Sequence, residues 1–224
     1  MIFSFFFEGV PAAATIDDLP NEVTSETVTL KWSEPQNNGR EITEYTVYQR
    51  IVTDDKPGKW TKLKTITNSS VREFAVDLTK GKVYEFVVTA TNDFGESLTE
   101  PEKFKRVMVS GVPASVELIN IPREVKDNTI TLKWNAPENY GRRIEQYTVY
   151  RRMVVDSKPG EWIELKIITD VSVREFTVEL EKGKEYEFVV TATNVHGESK
   201  IEEGNIKRVM AKGGIIHVKV VLFI

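Results

Sequence analysis

Apolar and polar side chains alternate with a period of two through Thr27-Val28-Thr29-Leu30-Lys31-Trp32, which predicts a strand half buried against a core. Val28, Leu30 and Trp32 face inward; Thr29 and Lys31 face water. Tyr84, Phe86, Val88 and Ala90 form a second inward row, with Glu85, Thr89 and Thr91 opposite, and Phe74, Val76 and Leu78 form a third. β-Branched and aromatic residues dominate these runs, and no apolar set recurs at the helical spacing of 3.6. Breakers fall between them at Pro35–Gly39, Pro57-Gly58, Lys80-Gly81 and Asp93–Gly95. Pro57-Gly58 suits the two central positions of a type II turn, because proline presets φ and glycine accepts a positive φ.

The pattern occurs twice. Sliding the chain until Gly9 meets Gly111 aligns Gly9–Ser110 with Gly111–Lys212 without a gap, and well over half of the aligned positions are identical. TLKW ends at Trp32 and again at Trp134, YTVY starts at Tyr45 and Tyr147, and YEFVVTATN starts at Tyr84 and Tyr186. A gapless period of about 100 residues is the size of a domain, so the chain carries two copies of one independent unit, 9–110 and 111–212. The apolar ends, 1–8 and 213–224, lie outside the repeat. A further GVP is expected after Lys212 but GIIH follows, which reads as a fragment of a longer array.

The residues carry a resemblance to a known family. Trp32, Pro35, Asn38-Gly39, Ile42 and Tyr45-x-Val47 resemble the B strand, BC loop and C strand of fibronectin type III modules. Leu78, Gly81, Tyr84-x-Phe86-x-Val88-x-Ala90-x-Asn92 and Gly95-Glu96-Ser97 resemble their E–F corner, F strand and FG turn. Trp134, Leu180 and Tyr186 repeat the assignment. The resemblance implies an all-β chain of two tandem seven-stranded, immunoglobulin-like β-sandwiches, with strands A, B and E facing C, C′, F and G. It also implies a core tryptophan between the sheets and a tyrosine corner whose hydroxyl bonds back to the backbone.

Composition narrows the function. The net charge of −4 over 224 residues gives no electrostatic footprint for nucleic acid. The absence of cysteine excludes disulfides, thiolate catalysis and cysteine-based metal sites. Met1–Phe7 lacks the basic leading region of a signal peptide, and Ile215–Ile224 is too short to span a bilayer, so no membrane insertion is expected in this segment. Only His196 and His217 offer a histidine base; nothing pairs His196 with a nucleophile, and His217 lies in the terminal segment outside the repeat. His196 is expected on the exposed FG turn. Asp17-Asp18, Asp54-Asp55 and Glu202-Glu203 lack the spacing and glycine of a calcium loop. No enzyme, metal or cofactor is expected.

Recognition features are few. Tyr48 and Tyr150 lie on the strand face opposite Tyr45 and Tyr147. With Val87 and Val189 they form either an aromatic docking face or, the favoured expectation, a surface covered by long neighbours such as Arg50 and Lys62. Arg142-Arg143 in the second BC loop and Arg151-Arg152 ending its C strand could hold a sulfated glycan, but alternation separates neighbouring strand residues. Each copy is also acidic, with 13 basic against 16 acidic residues in the first and 16 against 17 in the second. A solvated, salt-bridged face is the expected state. Asn37-Asn38-Gly39-Arg40 reads as a turn before it reads as an adhesive motif. Asn68-Ser69-Ser70 matches the N-glycosylation acceptor pattern.

The expected function is therefore a non-catalytic protein-binding or spacer segment of a multi-module adhesion or receptor protein, extracellular or at the cell surface. The alternative is a segment of an intracellular, titin-like filament scaffold, since giant muscle proteins also carry arrays of this module. The protein partner is not readable.

Overall fold

The computed structural model describes residues 9–212, so the sequence readings at 1–8 and 213–224, His217 among them, lie outside the described residues. The chain divides between Gly111 and Val112 into two compact units, each with its own core.

In the first unit the strands are β1 (Thr15–Ile16), β2 (Glu22–Val23), β3 (Thr27–Ser33), β4 (Glu44–Thr53), β5 (Lys56–Pro57), β6 (Thr61–Ile66), β7 (Glu73–Asp77), β8 (Lys82–Asn92), β9 (Gly95–Glu96) and β10 (Lys105–Val109). One sheet runs β1-β3-β7 and the other β2-β10-β8-β4-β5, with β6 on β4 and β9 on β8. The first sheet supplies the expected A, B and E strands, and the second the C, C′, F and G strands. β2 was not foreseen. It adds to the G strand in parallel, setting Glu22 and Val23 opposite Met108 and Val109. A turn of 3-10 helix at Pro101–Lys103 precedes β10.

The second unit repeats the order as β11 (Leu118–Ile119), β12 (Glu124–Val125), β13 (Thr129–Trp134), β14 (Gln146–Val155), β15 (Lys158–Pro159), β16 (Ile163–Ile168), β17 (Glu175–Glu179), β18 (Glu185–Asn194), β19 (Gly197–Glu198) and β20 (Lys207–Ala211). Its sheets are β11-β13-β17 and β12-β20-β18-β14-β15, with β16 on β14 and β19 on β18.

Inward rows from both sheets close each core. Leu30, Trp32, Tyr45, Val47, Phe86, Val88 and Val107 are buried in the first unit, and Leu132, Trp134, Tyr147, Val149, Phe188, Val190 and Val209 in the second. Each tryptophan meets a C-strand tyrosine edge-on, Trp32 with Tyr45 and Trp134 with Tyr147, both at a centroid distance of 5.6 Å. That geometry sets the positive ring edge against the negative face.

Two expectations fail locally. Pro57-Gly58 makes no type II turn: Gly58 lacks a positive φ, and Pro57 sits in β5 opposite Val52. The chain reverses instead at Asp54-Asp55, with φ of 49° and 57°, as a two-residue hairpin whose twist matches its strands. Asp156-Ser157 do the same in the second unit. Gly58 serves close approach, since a Cβ there would lie 3.0 Å from the Ile51 carbonyl oxygen. Strand C is also longer than read, so Arg151-Arg152 lie inside β14 and do not end it.

The hairpin carries a prediction. The left-handed region is unfavourable for Asp55 and open to glycine, whose unfolded-state entropy offsets part of the gain. Asp55→Gly is expected to stabilise the first unit by about 0.5 kcal/mol, read as a higher urea midpoint; an unchanged or lower midpoint rejects the strain.

Candidate functional site

The residues named for the core lie in it. Trp32 and Trp134 are 3% and 2% exposed, and Leu78, Leu180, Tyr84 and Tyr186 are buried with them. The Tyr84 hydroxyl accepts from the Thr79 backbone N–H at 3.1 Å, and that of Tyr186 from Glu181 N–H at 3.2 Å. Each hydroxyl thereby holds the turn entering its F strand. Tyr84→Phe removes that acceptor and is expected to cost about 1 kcal/mol; a urea midpoint equal to wild type would rule out a structural role for the bond.

The outer face of the larger sheet differs from the alternation pattern. Thr89, read as facing water, and Val87, on the face expected to be covered by long neighbours, are 1% and 0% exposed, and Thr191 and Val189 are as deeply buried. The cover comes from segments outside the strand. In the first unit the Arg50 guanidinium lies 4.3 Å from the Trp60 ring centre and 5.0 Å from that of Phe104, and the two rings meet edge-on at 4.9 Å. Arg50 also bonds Glu85 at 2.6 Å, with both side chains mostly buried. In the second unit Arg152 stacks on Trp162 at 4.3 Å and pairs with Glu187 at 2.6 Å, which Arg208 bonds from the other side at 2.6 Å. Burial works to raise the Glu187 pKa, but hydrogen bonds from Arg208 and Arg152 outweigh it and hold the carboxyl below its ordinary value.

Tyr48 and Tyr150 sit at the upper edge of these faces, half-buried. Their hydroxyls donate to Glu96 and Glu198, each at 2.9 Å. Burial, then the adjoining carboxylate, pushes both phenols up to about 12, because an ionised phenolate would lose solvation and meet a like charge. Thr89 and Thr191 donate to the same glutamates. In the first unit, Tyr48, Trp60, Thr89, Glu96, Leu98 and Thr99 frame an open cavity of about 290 Å³. This hollow is the candidate recognition site; sequence reading named only Tyr48 in it. A leucine at 78% exposure was the available signal, but exposure is not written in a period of two.

The other features disperse. Arg142 closes the BC turn through its N–H to the Asn139 carbonyl at 3.1 Å and is half-buried, whereas Arg143 is exposed. Arg151 reaches the Glu179 carbonyl and the Tyr186 ring, on the sheet face opposite Arg152. The four arginines form no common patch. Asn68 is exposed, with its Oδ1 accepting from the Ser70 N–H at 3.1 Å and hydroxyl at 2.5 Å. Asn38-Gly39 makes a turn, φ 50° and 85°, and the Asn38 amide donates to the Val10 carbonyl. Tyr140 takes the same positive φ in the second unit. His196 is half-buried, not exposed, and its N–H donates to the Asn194 side chain at 2.9 Å. Among the described residues no group of three or more His, Cys, Asp or Glu is placed to hold a metal, and no helix is long and apolar enough to cross a membrane.

Comparison with known proteins agrees with this architecture. The chain is 28% identical to the Titin homolog of Caenorhabditis elegans over 209 residues, 86% of this chain and 1% of that protein. It is 28% identical to Homo sapiens Myomesin-2 over 201 residues, 85% of this chain and 13% of the relative. Danio rerio Contactin-5 is 33% identical over 108 residues, 42% of this chain and 10% of the relative. The chain thus spans a small part of each of these proteins. Among solved structures, the chicken CNTN1 FN1-FN3 domains share the fold with a TM-score of 0.50 at 19% identity, covering 92% of this chain and 67% of that one. The sequence profile of the Fibronectin type III domain matches twice, at residues 18–105 and 114–206. With both repeats matched across most of its length, the chain belongs to the fibronectin type III domain family.

Proposed function

We propose that the tandem is a non-catalytic protein-binding and spacer segment of a multi-module adhesion or receptor protein, at the cell surface. The observation that carries the reading is the covered sheet face of each module. There an arginine is held between a carboxylate and an aromatic ring, which closes the centre of the face and leaves its rim, around Tyr48 and Glu96 in the first module, as the surface offered to a partner. The exposed Asn68 acceptor pattern supports the surface setting. A second reading, a titin-like filament-associated scaffold, is favoured by the extent of the matches to the Titin homolog and Myomesin-2. Those run through both modules, whereas the Contactin-5 match covers 42% of the chain.

Antibody raised against the tandem, applied to cells expressing the native protein, separates the two. Labelling of intact cells, with a glycosidase-sensitive mobility that Asn68→Gln removes, supports the surface reading. Labelling only after permeabilisation, along filaments, overturns it in favour of the scaffold.

A further inference from the structure

The cavity framed by Tyr48, Trp60, Thr89, Glu96, Leu98 and Thr99 has an uneven distribution of hydrogen bonds. Both hydroxyl donors, Tyr48 and Thr89, land on Oε1 of Glu96, and Oε2 accepts from neither. The carboxylate is therefore fixed in orientation by two donors while one of its oxygens stays available. Beside it stand the Trp60 ring and Leu98, whose exposure of 78% is the greatest among the large apolar residues of either module. A held carboxylate oxygen next to apolar surface is the complement of a side chain with an aliphatic stem and a cationic tip.

The second module supplies an internal comparison. It repeats the frame, with Glu198 accepting from Tyr150 and Thr191 and with Trp162 at the position of Trp60. The mouth changes: Lys200 replaces Leu98 and Ile201 replaces Thr99. The frame thus belongs to the shared architecture, whereas the exposed leucine beside the carboxylate belongs to the first module and a lysine takes its place in the second, with Ile201 next to it.

We propose that this cavity receives a lysine side chain from a protein partner, its methylenes against Leu98 and Trp60 and its ammonium on Oε2 of Glu96. Lys200 bars the equivalent position in the second module by like-charge repulsion. The excess of acidic residues in the first module, 16 against 13 basic, favours approach of a basic segment. Lysine fits better than arginine because Oε1 is already taken. A guanidinium fork gains its advantage from two free oxygens, whereas an ammonium needs one. The inference deepens the protein-binding reading and is independent of compartment.

The test is NMR titration of the whole tandem with the capped tripeptide acetyl-Gly-Lys-Gly-amide, against the same peptide carrying Nε-acetyl-lysine. Saturable shifts are expected at the Trp60 indole and the Leu98 methyls, with an affinity on the order of millimolar and about tenfold weaker for the acetylated peptide. Leu98→Lys should abolish the response without moving the unfolding midpoint, since Leu98 is exposed, and Lys200→Leu should bring a response to Trp162. Absence of saturable shifts in the wild type, equal response to the acetylated peptide, or a response that survives Leu98→Lys overturns the site. A silent Trp162 in Lys200→Leu overturns the role given to Lys200. None of these outcomes alters the intact-cell labelling, so the lysine site can fall while the spacer reading stands.

Discussion

Trp32→Ala is expected to unfold the first module at a temperature roughly 15–30 °C below wild type while the second keeps its own transition. Trp32 is 3% exposed between the two sheets and meets Tyr45 edge-on, so truncation removes both the transfer free energy of an indole and its ring contact. Such large-to-small changes cost about 3–5 kcal/mol. That is a large part of the roughly 5–15 kcal/mol that holds a domain of this size. The buried residues packed around Trp32 all lie in its own module, as do those around Trp134. Calorimetry of the tandem would show one transition shifted and one unmoved. Simultaneous loss of both would end the description as two independently folding units.

The second large effect is expected at Glu187, which anchors two arginines from a side chain only 7% exposed. Removing it as Glu187→Ala leaves Arg152 stacked on Trp162 with no counter-charge. Breaking a buried pair from one side costs about 3–5 kcal/mol, and the 43% exposure of Arg208 reduces this to about 2–3 kcal/mol here. The same group sets an acid limb. Its pKa is depressed in the folded state, so its stabilisation is fully present above the unfolded value of about 4.3 and is lost as pH falls through the folded value. Glu187→Gln keeps the shape and removes the titration. Between pH 5 and pH 2 the second module should lose less stability in Glu187→Gln than in wild type. Superimposable acid limbs would show that Glu187 does not carry the dependence.

The core was legible because its rule is local. A strand with one face inward writes its burial as alternation, and Leu30, Trp32, Tyr84 and Phe86 followed it. The opposite face was not legible, because its cover comes from elsewhere. Nothing near Val87 or Thr89 announces that Trp60 and Phe104 will close over that face together with Arg50, and both positions are sealed. Of the two long neighbours expected as cover, Arg50 is drawn in by its ring and carboxylate partners, whereas Lys62 is exposed. The C–C′ turn was misplaced for a different reason. Pro-Gly is strong turn chemistry, whereas Asp54-Asp55 takes positive φ without glycine, driven by the twist of the hairpin around it. The recognition hollow depends on Glu96 meeting Tyr48 across the sheet, a contact between residues 48 positions apart that no local pattern encodes.

The parallel pairing of β2 with β10 bears on how each module responds to tension. Pulling the start of a module away from its end drags these two strands in opposite directions along their length. The bonds from Met108 N–H to the Asn21 carbonyl at 2.9 Å and from Ser110 N–H to the Val23 carbonyl at 3.0 Å are then loaded sideways and together, not peeled in turn. In the second module the bonds from Met210 to Arg123 and from Lys212 to Val125, both 2.8 Å, share load in the same manner. A two-residue strand in each sandwich is thus placed so that tension between the module's two ends would load it in shear.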